Sequence, residues 1–145
     1  ARDVIDGWPV GAHGTTFGGN PVSCAAAVAV MDTMGDLLPH ARQLSKQAFD
    51  RFNELAERHP TIGDVRGLGL MIGIELVSDR EQRTQDKAAF EHLQKYCFER
   101  ELIIIECGPD GNVIRFIPPL ITTSEELDWA IDLIDAALTD WESTR

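Results

Sequence analysis

The first regular element that the hydrophobic pattern predicts is a helix over residues 22–34, where Ala, Val, Cys and Met leave almost no polar side. A helix that is apolar on every side is typical of one that is buried all round. Asn20 and Pro21 favour a helix start, because Asn caps free amides and Pro at the first helical position loses no hydrogen bond. Gly35 and Pro39 predict that the helix is interrupted after residue 34.

Three further helices are predicted where apolar residues recur every three to four positions: over residues 41–59, over residues 86–100, and from Ser124 onwards. Thr123 and Glu126 form a capping box at the start of the last helix. The apolar stripes of the three helices consist of Leu44, Ala48, Phe52 and Leu55; of Phe90, Leu93 and Cys97; and of Leu127, Ala130, Ile131, Ile134, Leu138 and Trp141. The opposite, acidic face of the last helix is predicted to be solvated and carries Glu125, Asp128, Asp132 and Asp135.

Two pairs of short apolar segments predict strands. The segment "DVRGLGLMIGIEL" (residues 64–76) is glycine-punctuated and predicts a strand, a bend and a second strand, followed by a polar loop over residues 78–85. The segments "LIIIEC" (102–107) and "NVIRFI" (112–117) are joined by "GPDG", a strong turn signal. The chain is therefore predicted to be an α+β protein, with three or four largely antiparallel strands covered by helices.

Composition narrows the functional classes. The chain has 145 residues, of which 43% are hydrophobic, and a net charge of −11. That charge argues against partners such as nucleic acid and anionic membranes, since both attract Lys and Arg. No apolar run approaches the roughly 20 residues of a membrane span. Cys24, Cys97 and Cys107 are an odd number without paired spacing, which predicts reduced thiols in a cytoplasmic protein.

The spacing of the histidines and of the glycines disfavours a metal site and a dinucleotide-binding site. The four histidines, His13, His40, His59 and His92, stand at no ligand spacing from one another or from a cysteine, so we predict no metal site and interpret them as surface or packing residues. The glycines of "GLGLMIG" resemble a dinucleotide fingerprint, but the third glycine comes one place late and the segment continues as a strand. We interpret them as allowing a bend and close backbone approach.

The stretch "GTTFGGNP" (residues 14–21) is the strongest candidate for chemistry. Glycine leaves amides unhindered, threonine supplies hydroxyls, and the following helix start supplies a positive dipole end. Together these suit a phosphate or another anion. A plain turn followed by a helix cap fits the residues equally well.

Three segments resemble the class III, pyridoxal-phosphate-dependent aminotransferases, in the order and spacing of that family. "HGTTFGGNPVSCAAAVAVMD" resembles the segment that follows the catalytic lysine region, and "IGDVRGLGLMIGIELV" resembles the strand pair of the small domain. "LIIIECGPDGNVIRFIPPLITTSEELDWAIDLI" resembles the C-terminal hairpin and last helix. Within the class the chain is most similar to the 4-aminobutyrate branch.

The resemblance implies a fold type I homodimer that binds pyridoxal 5'-phosphate and acts on an amino donor and a 2-oxo acid. Residues 1–35 would be the end of the large cofactor domain and its linking helix, and residues 36–145 the small C-terminal domain. Thr16 matches the threonine that contacts the cofactor phosphate of the neighbouring subunit, with Thr15 a weaker companion. Arg115 matches the arginine that receives a substrate carboxylate.

Arg115 also stands out by alternation, because it lies opposite the strand face of Ile114 and Phe116. An arginine there is expected either to pair with a carboxylate of the protein, such as Glu75 or Glu106, or to meet a ligand.

The residues that carry the central chemistry are not recognisable in this sequence. None of its lysines, Lys46, Lys87 and Lys95, stands in a motif that resembles the family's Schiff-base lysine, so we expect the chain by itself to be inactive and part of a longer enzyme. The substrate alternatives within the class are acetylornithine, β-alanine or another ω-amino acid, or an epimerase or aminomutase reaction. Outside it, the alternative is a free-standing regulatory or oligomerisation module.

Overall fold

The computed structural model describes residues 6–9, 11–12 and 14–145. By its internal packing the chain divides into two compact units, Ala1–Gly35 (unit 1) and Asp36–Arg145 (unit 2). Helix α1 (Pro21–Arg58) contributes residues to both units. The assignment of residues 1–35 to the end of a cofactor domain stays a prediction.

The start of α1 is capped as the sequence predicts. The Asn20 side-chain oxygen accepts a hydrogen bond from the Ser23 amide at 2.9 Å, and its side-chain amide donates to the Phe17 carbonyl at 2.8 Å. Pro21 is the first residue of the helix. The local residue types therefore suffice to set this helix boundary.

The predicted interruption after residue 34 is wrong. The helix runs without a break from Pro21 to Arg58, and Pro39 lies inside it. Proline has no amide hydrogen, so the Gly35 carbonyl lacks its usual helical donor. The ring nevertheless fixes φ near −65°, which is a helical value, so the helix loses one hydrogen bond and continues.

The first half of α1 is apolar on every side but is not buried by the described part of this chain. Val22 is 80% exposed and Met31 is 70% exposed, so the prediction of a helix buried all round is wrong for this chain by itself. Contrary to the sequence-based expectation, α1 is long and apolar enough to cross a membrane, by length and composition alone. A core helix of a soluble protein meets the same criterion. Such a surface is typical of a helix that another element covers.

The predicted antiparallel sheet is confirmed, with one short strand more than expected. The strands are β1 (Ile62–Leu68), β2 (Met71–Asp79), β3 (Thr84–Gln85), β4 (Ile105–Cys107) and β5 (Val113–Phe116). Their order is β1-β2-β5-β4, with β3 paired to β2 within the stretch that we predicted as a polar loop, and all pairs are antiparallel. Two further helices, α2 (Lys87–Phe98) and α3 (Ser124–Ser143), complete the α+β fold.

The glycines of "GLGLMIG" form a hairpin bend, as interpreted from the sequence. Leu68 of β1 pairs with Met71 of β2 across a two-residue turn. A Cβ atom at Gly67 would lie 2.1 Å from the Met71 carbonyl oxygen, so glycine alone allows this close approach.

One hydrophobic core joins the three helices to one face of the sheet. It contains the predicted stripes of the helices, except Trp141, which is partly buried and packs against it, together with Ile72, Ile74, Leu76, Ile114 and Phe116 of the strands. The rings of Phe52 on α1 and Phe116 on β5 meet edge to face at 5.0 Å between centroids. Because these helices occupy one face, no described element of unit 2 covers the opposite face of the sheet, which we call the open face.

The acidic face of α3 forms ion pairs with α1, where the sequence predicted solvated carboxylates. Arg51 of α1 contacts Asp128 at 2.7 Å and Asp132 at 2.5 Å, and Arg58 contacts Asp135 at 2.9 Å. The polar face of α3 was therefore only partly interpreted correctly, because its basic partners are far away in the sequence.

His59 is buried between two carboxylates. Its Nε2 lies 2.6 Å from an Asp135 oxygen and its Nδ1 lies 2.8 Å from a Glu142 oxygen. The second Glu142 oxygen accepts from the Thr61 amide at 3.2 Å. An ionised carboxylate can only accept, so both contacts are hydrogen bonds when the ring carries a proton on each nitrogen. We call His59, Asp135 and Glu142 the His59 triad.

The His59 triad is expected to make the chain less stable in acid. Burial works to raise the pKa of Asp135 and of Glu142, but hydrogen bonds from His59 with those from Arg58 or Thr61 outweigh it and hold both pKa values below their usual 3.8 and 4.5. A carboxyl whose pKa is lower in the folded state stabilises the fold fully above its unfolded pKa and loses that contribution as the pH falls.

Urea unfolding between pH 6 and pH 2.5 would measure this loss, and the Asp135→Asn variant should show a flatter pH dependence than the parent chain. Asp50→Asn, which removes an exposed partner of Lys46, is the control and should leave the slope unchanged. Equal slopes in the parent and Asp135→Asn would contradict the prediction.

Candidate functional site

The open face of the sheet carries two adjacent rows of side chains. Residues that pair across antiparallel strands project from the same face. One row consists of Arg66, Gly73, Arg115 and Ile105, and the next consists of Asp64, Glu75, Val113 and Cys107. The predicted substrate arginine thus shares a row with a second arginine, and a glycine stands between them.

Arg115 lies where the alternation in the sequence placed it. Ile114 and Phe116 are buried in the core, and Arg115 is exposed on the opposite face. Its guanidinium group forms no hydrogen bond and no ion pair with any residue that the structure describes. Neither of the carboxylates considered as partners, Glu75 and Glu106, pairs with it, so its charge is available to a ligand.

Arg66 binds the carboxylate that was expected to compete for Arg115. Its Nη1 donates to a Glu75 oxygen at 2.6 Å and to an Asp64 oxygen at 2.8 Å. These hydrogen bonds raise the pKa of the Arg66 guanidinium, with the bond to Asp64 contributing most. This cluster was not predicted from the sequence, although counting the hairpin register outward from the turn would have brought Arg66 and Glu75 together.

Arg115 also lines an apolar cavity of about 760 Å³ in unit 2. The cavity is lined by Leu102, Ile103, Ile104, Ile105, Arg115, Phe116, Ile117, Pro118, Pro119, Ile121, Thr122, Thr123, Glu126, Leu127, Trp129 and Ala130. The Glu126 carboxylate accepts from the Thr123 amide at 2.8 Å in the predicted capping box, which the structure confirms. A ligand with an apolar body and an anionic end matches this combination of surfaces.

Thr15 and Thr16 are exposed in the segment that leads into α1, within unit 1. Their hydroxyls make no hydrogen bond to another described residue, and Gly19 nearby adopts a φ of +77°. Two free hydroxyls before a helix N-terminus fit the predicted phosphate contact in chemistry. Arg115 belongs to unit 2, so the structure places these candidates in two different units.

The three lysines all lie on helices. The side chain of Lys46 is 79% exposed and contacts Asp50, and that of Lys87 is 57% exposed and contacts Glu91. Lys95 is exposed on α2. None of them lies in the apolar cavity beside Arg115.

The histidines of the described segments make structural contacts. His40 contacts the Thr122 carbonyl at 2.8 Å, and His92 contacts Asp140 at 2.8 Å. Within these segments no group of three His, Cys, Asp or Glu side chains is arranged to hold a metal ion. His13 lies outside the described residues.

Comparison with known proteins identifies the family. The model of the aminotransferase class-III family matches residues 1–138, so the chain belongs to the class-III aminotransferases, a pyridoxal-phosphate-dependent family. It is 38% identical to a leucine/methionine racemase of Thermococcus litoralis, over 99% of this chain and 32% of the relative. It is 39% identical to a 4-aminobutyrate aminotransferase of Mycobacterium tuberculosis, over 95% of this chain and 31% of the relative.

The fold agrees with that family. The solved structure of the PMP-bound form of an aminotransferase from Vibrio fluvialis superposes with a TM-score of 0.77 and 30% identity, over 97% of this chain and 31% of that one. The chain thus spans about a third of the length of the relatives that it matches. The named relatives differ in the reaction that they are named for, one being a racemase and another an aminotransferase.

Proposed function

We propose that this chain is the C-terminal portion of an aminotransferase that moves an amino group from an ω-amino acid such as 4-aminobutyrate to a 2-oxo acid such as 2-oxoglutarate. The single observation that carries the proposal is Arg115, an exposed guanidinium without a described partner beside an apolar cavity. 4-Aminobutyrate has one carboxylate and 2-oxoglutarate has two, and a guanidinium binds a carboxylate with two parallel hydrogen bonds. The 39% identity to a 4-aminobutyrate aminotransferase supports this choice of donor.

In this proposal each candidate residue has one task. Arg115 binds the substrate carboxylate and so fixes the orientation of the reacting end. Thr16, assisted by Thr15, donates a hydroxyl hydrogen bond to the phosphate of the cofactor in a homodimer of the cytoplasmic enzyme. When bound, pyridoxal 5'-phosphate supplies the electron sink for the amino exchange. The lysine that the chemistry requires would come from outside this chain.

A racemase is the second candidate, because one relative at 38% identity is named a leucine/methionine racemase. The apolar lining of the cavity favours it, since leucine and methionine have apolar side chains. The two reactions differ in their need for an oxo acid. Amino transfer from 4-aminobutyrate requires 2-oxoglutarate and forms glutamate, whereas inversion at the α-carbon of leucine needs no acceptor.

Arg115→Lys in the full-length protein should raise the KM for 4-aminobutyrate and for 2-oxoglutarate by at least about tenfold, the effect of roughly 1.4 kcal/mol. Lysine keeps the charge but cannot reproduce the two-pronged contact. An amine donor without a carboxylate should lose less in its own half-reaction. Steady-state kinetics with both kinds of donor, together with a leucine racemisation assay, would measure these effects.

Arg42→Lys is the matched control, because Arg42 is an exposed arginine of α1 outside the cavity. If Arg115→Lys impairs both kinds of donor equally, or behaves like Arg42→Lys, the substrate carboxylate is bound elsewhere and the proposal fails. Racemisation of leucine without an oxo acid, in place of amino transfer, would favour the second candidate.

A further inference from the structure

The two arginines of the open sheet face, Arg66 and Arg115, differ in whether their guanidinium groups are paired with carboxylates. Arg66 and Arg115 both pair with Gly73, from opposite sides of β2. Arg66 contacts two carboxylates, at 2.6 and 2.8 Å, and Arg115 contacts none among the described residues. Since strands lie about 4.8 Å apart, the two arginines originate only about 10 Å from each other.

Glu75 is the carboxylate that both arginines can reach. It pairs with Val113 of β5, and Arg115 lies two residues further along the same strand. Diagonal neighbours of this kind are about 7–8 Å apart, a distance that long side chains bridge. Gly73 lies two residues from Glu75 on β2 and directly across from Arg115, and it adds no side chain of its own to the space that the Val113 side chain flanks.

Burial of the Glu75 side chain makes a cationic partner important for its stability. Its side chain is 19% exposed, and a carboxylate that loses its partner in such a place carries an uncompensated desolvation cost. Without the Arg66 guanidinium, Arg115 is a cation within reach of Glu75, as its diagonal neighbour on the adjacent strand. An ion pair between them would occupy the donors that a substrate carboxylate needs.

We propose that Arg66 is a positioning residue that keeps Arg115 free: by binding Glu75, it prevents an internal ion pair between Glu75 and Arg115 at the site where a ligand carboxylate binds. The inference rests on the proposed role of Arg115 in carboxylate binding. It assigns to Arg66 and Glu75 a part in substrate affinity without direct contact to the substrate.

The test uses the full-length holoenzyme and glutarate, a dicarboxylate of the length of 2-oxoglutarate that lacks the reacting carbonyl. Arg66→Met should raise the Kd of glutarate, measured by calorimetry, by about tenfold, in line with coupling between neighbouring charges. Arg66→Met/Glu75→Gln should restore the Kd to within about twofold of the parent, because the competing charge is removed. Arg66→Lys, which retains a cation for Glu75, should change the Kd less than Arg66→Met.

The matched control is Arg66→Met/Asp64→Asn. Asp64 also loses its partner, but it lies on β1, two strands away from Arg115, so its neutralisation should not restore glutarate binding. Should Arg66→Met fail to fold, Arg66→Gln keeps a hydrogen-bond donor without a charge and permits the same comparison with and without Glu75→Gln.

Two results would separate failure of this inference from failure of the proposed function. If Arg115→Lys weakens glutarate binding but the Arg66 variants do not, or if Glu75→Gln and Asp64→Asn rescue equally, Arg66 is merely structural and the inference is overturned. If Arg115→Lys leaves glutarate binding unchanged, the proposed function itself is overturned, and the inference with it.

Discussion

His59→Leu is expected to lower the free energy of unfolding of the chain by about 3 kcal/mol, because it removes hydrogen bonds to two carboxylates and each such bond contributes about 1.5–3 kcal/mol. Leucine fills the space of the ring but donates no hydrogen bond. Asp135 and Glu142 then lose the donor that lies between them, at 2.6 and 2.8 Å. Asp135 keeps Arg58 as a partner and Glu142 keeps the Thr61 amide, which is why we expect a value at the lower end of the sum of two such bonds.

Urea denaturation at pH 7, followed by far-UV circular dichroism, would measure this loss. His92→Leu is the matched control, because His92 contacts a single carboxylate, Asp140, with 30% of its side chain exposed. It should cost less than about 1 kcal/mol. Neutralising the orphaned carboxylates of the His59→Leu variant, with Asp135→Asn and Glu142→Gln, should recover part of the stability. If His59→Leu and His92→Leu lower the free energy of unfolding equally, burial of the His59 triad does not contribute to stability and the prediction is wrong.

Thr16→Ala in the full-length enzyme is expected to weaken retention of pyridoxal 5'-phosphate by about ten- to a hundredfold. A hydrogen bond to a charged group contributes about 1.5–3 kcal/mol, and the Thr16 hydroxyl has no described partner within this chain. Folding should be unaffected, because the side chain is exposed and caps nothing. Asn20, rather than Thr16, caps α1.

Equilibrium dialysis against a series of cofactor concentrations would give the affinity, with the oligomeric state checked in parallel. Thr33→Ala serves as the control, since the Thr33 hydroxyl donates to the Val30 carbonyl of its own helix. Thr15→Ala should have a smaller effect than Thr16→Ala. If the Thr16→Ala variant is a dimer with the cofactor affinity of the parent, Thr16 does not contact the phosphate and is only a turn residue.

Features with a local cause were predictable from the sequence. The cap at Asn20 and the capping box of Thr123 and Glu126 each depend on residues three positions apart, and both predictions are confirmed. Strand pairs joined by short glycine turns were predictable for the same reason. The prediction that the helix is interrupted near Pro39 was wrong for a physical reason. A proline removes only one helical hydrogen bond, and the hydrogen bonds of the neighbouring turns determine whether the helix ends there.

Contacts between distant segments were not predictable. Arg80, assigned to a polar loop, donates to the carbonyls of Ala56, His59 and Ile62 and so satisfies the end of α1. His59 was interpreted as a surface or packing residue, because its carboxylate partners lie 76 and 83 positions away. Single-sequence patterns report which face of an element is apolar and contain no signal for which charges of distant segments meet.

For the candidate site, the sequence predicted which face of the sheet Arg115 lies on, but not whether its charge is paired with a carboxylate. Alternation of apolar residues in β5 sufficed for the face. Whether Glu75 would pair with Arg115 depended on strand order and register, which put Arg66 on the other side of β2. The roles of Thr15 and Thr16 stay predictions, because no described contact tests them.

The ion pairs between α1 and α3 have a consequence for synthesis on the ribosome. Arg51 cannot form its ion pairs until Asp128 and Asp132 have been synthesised, and these residues are 77 and 81 positions further along the chain. At about 5–20 residues per second, translation takes roughly 4 to 16 s to cover that distance. During that interval α3 cannot yet cover the apolar stripe of α1, and the strands of the sheet are still being synthesised. The nascent chain is thus most exposed to aggregation, and most in need of chaperones, before α3 leaves the exit tunnel.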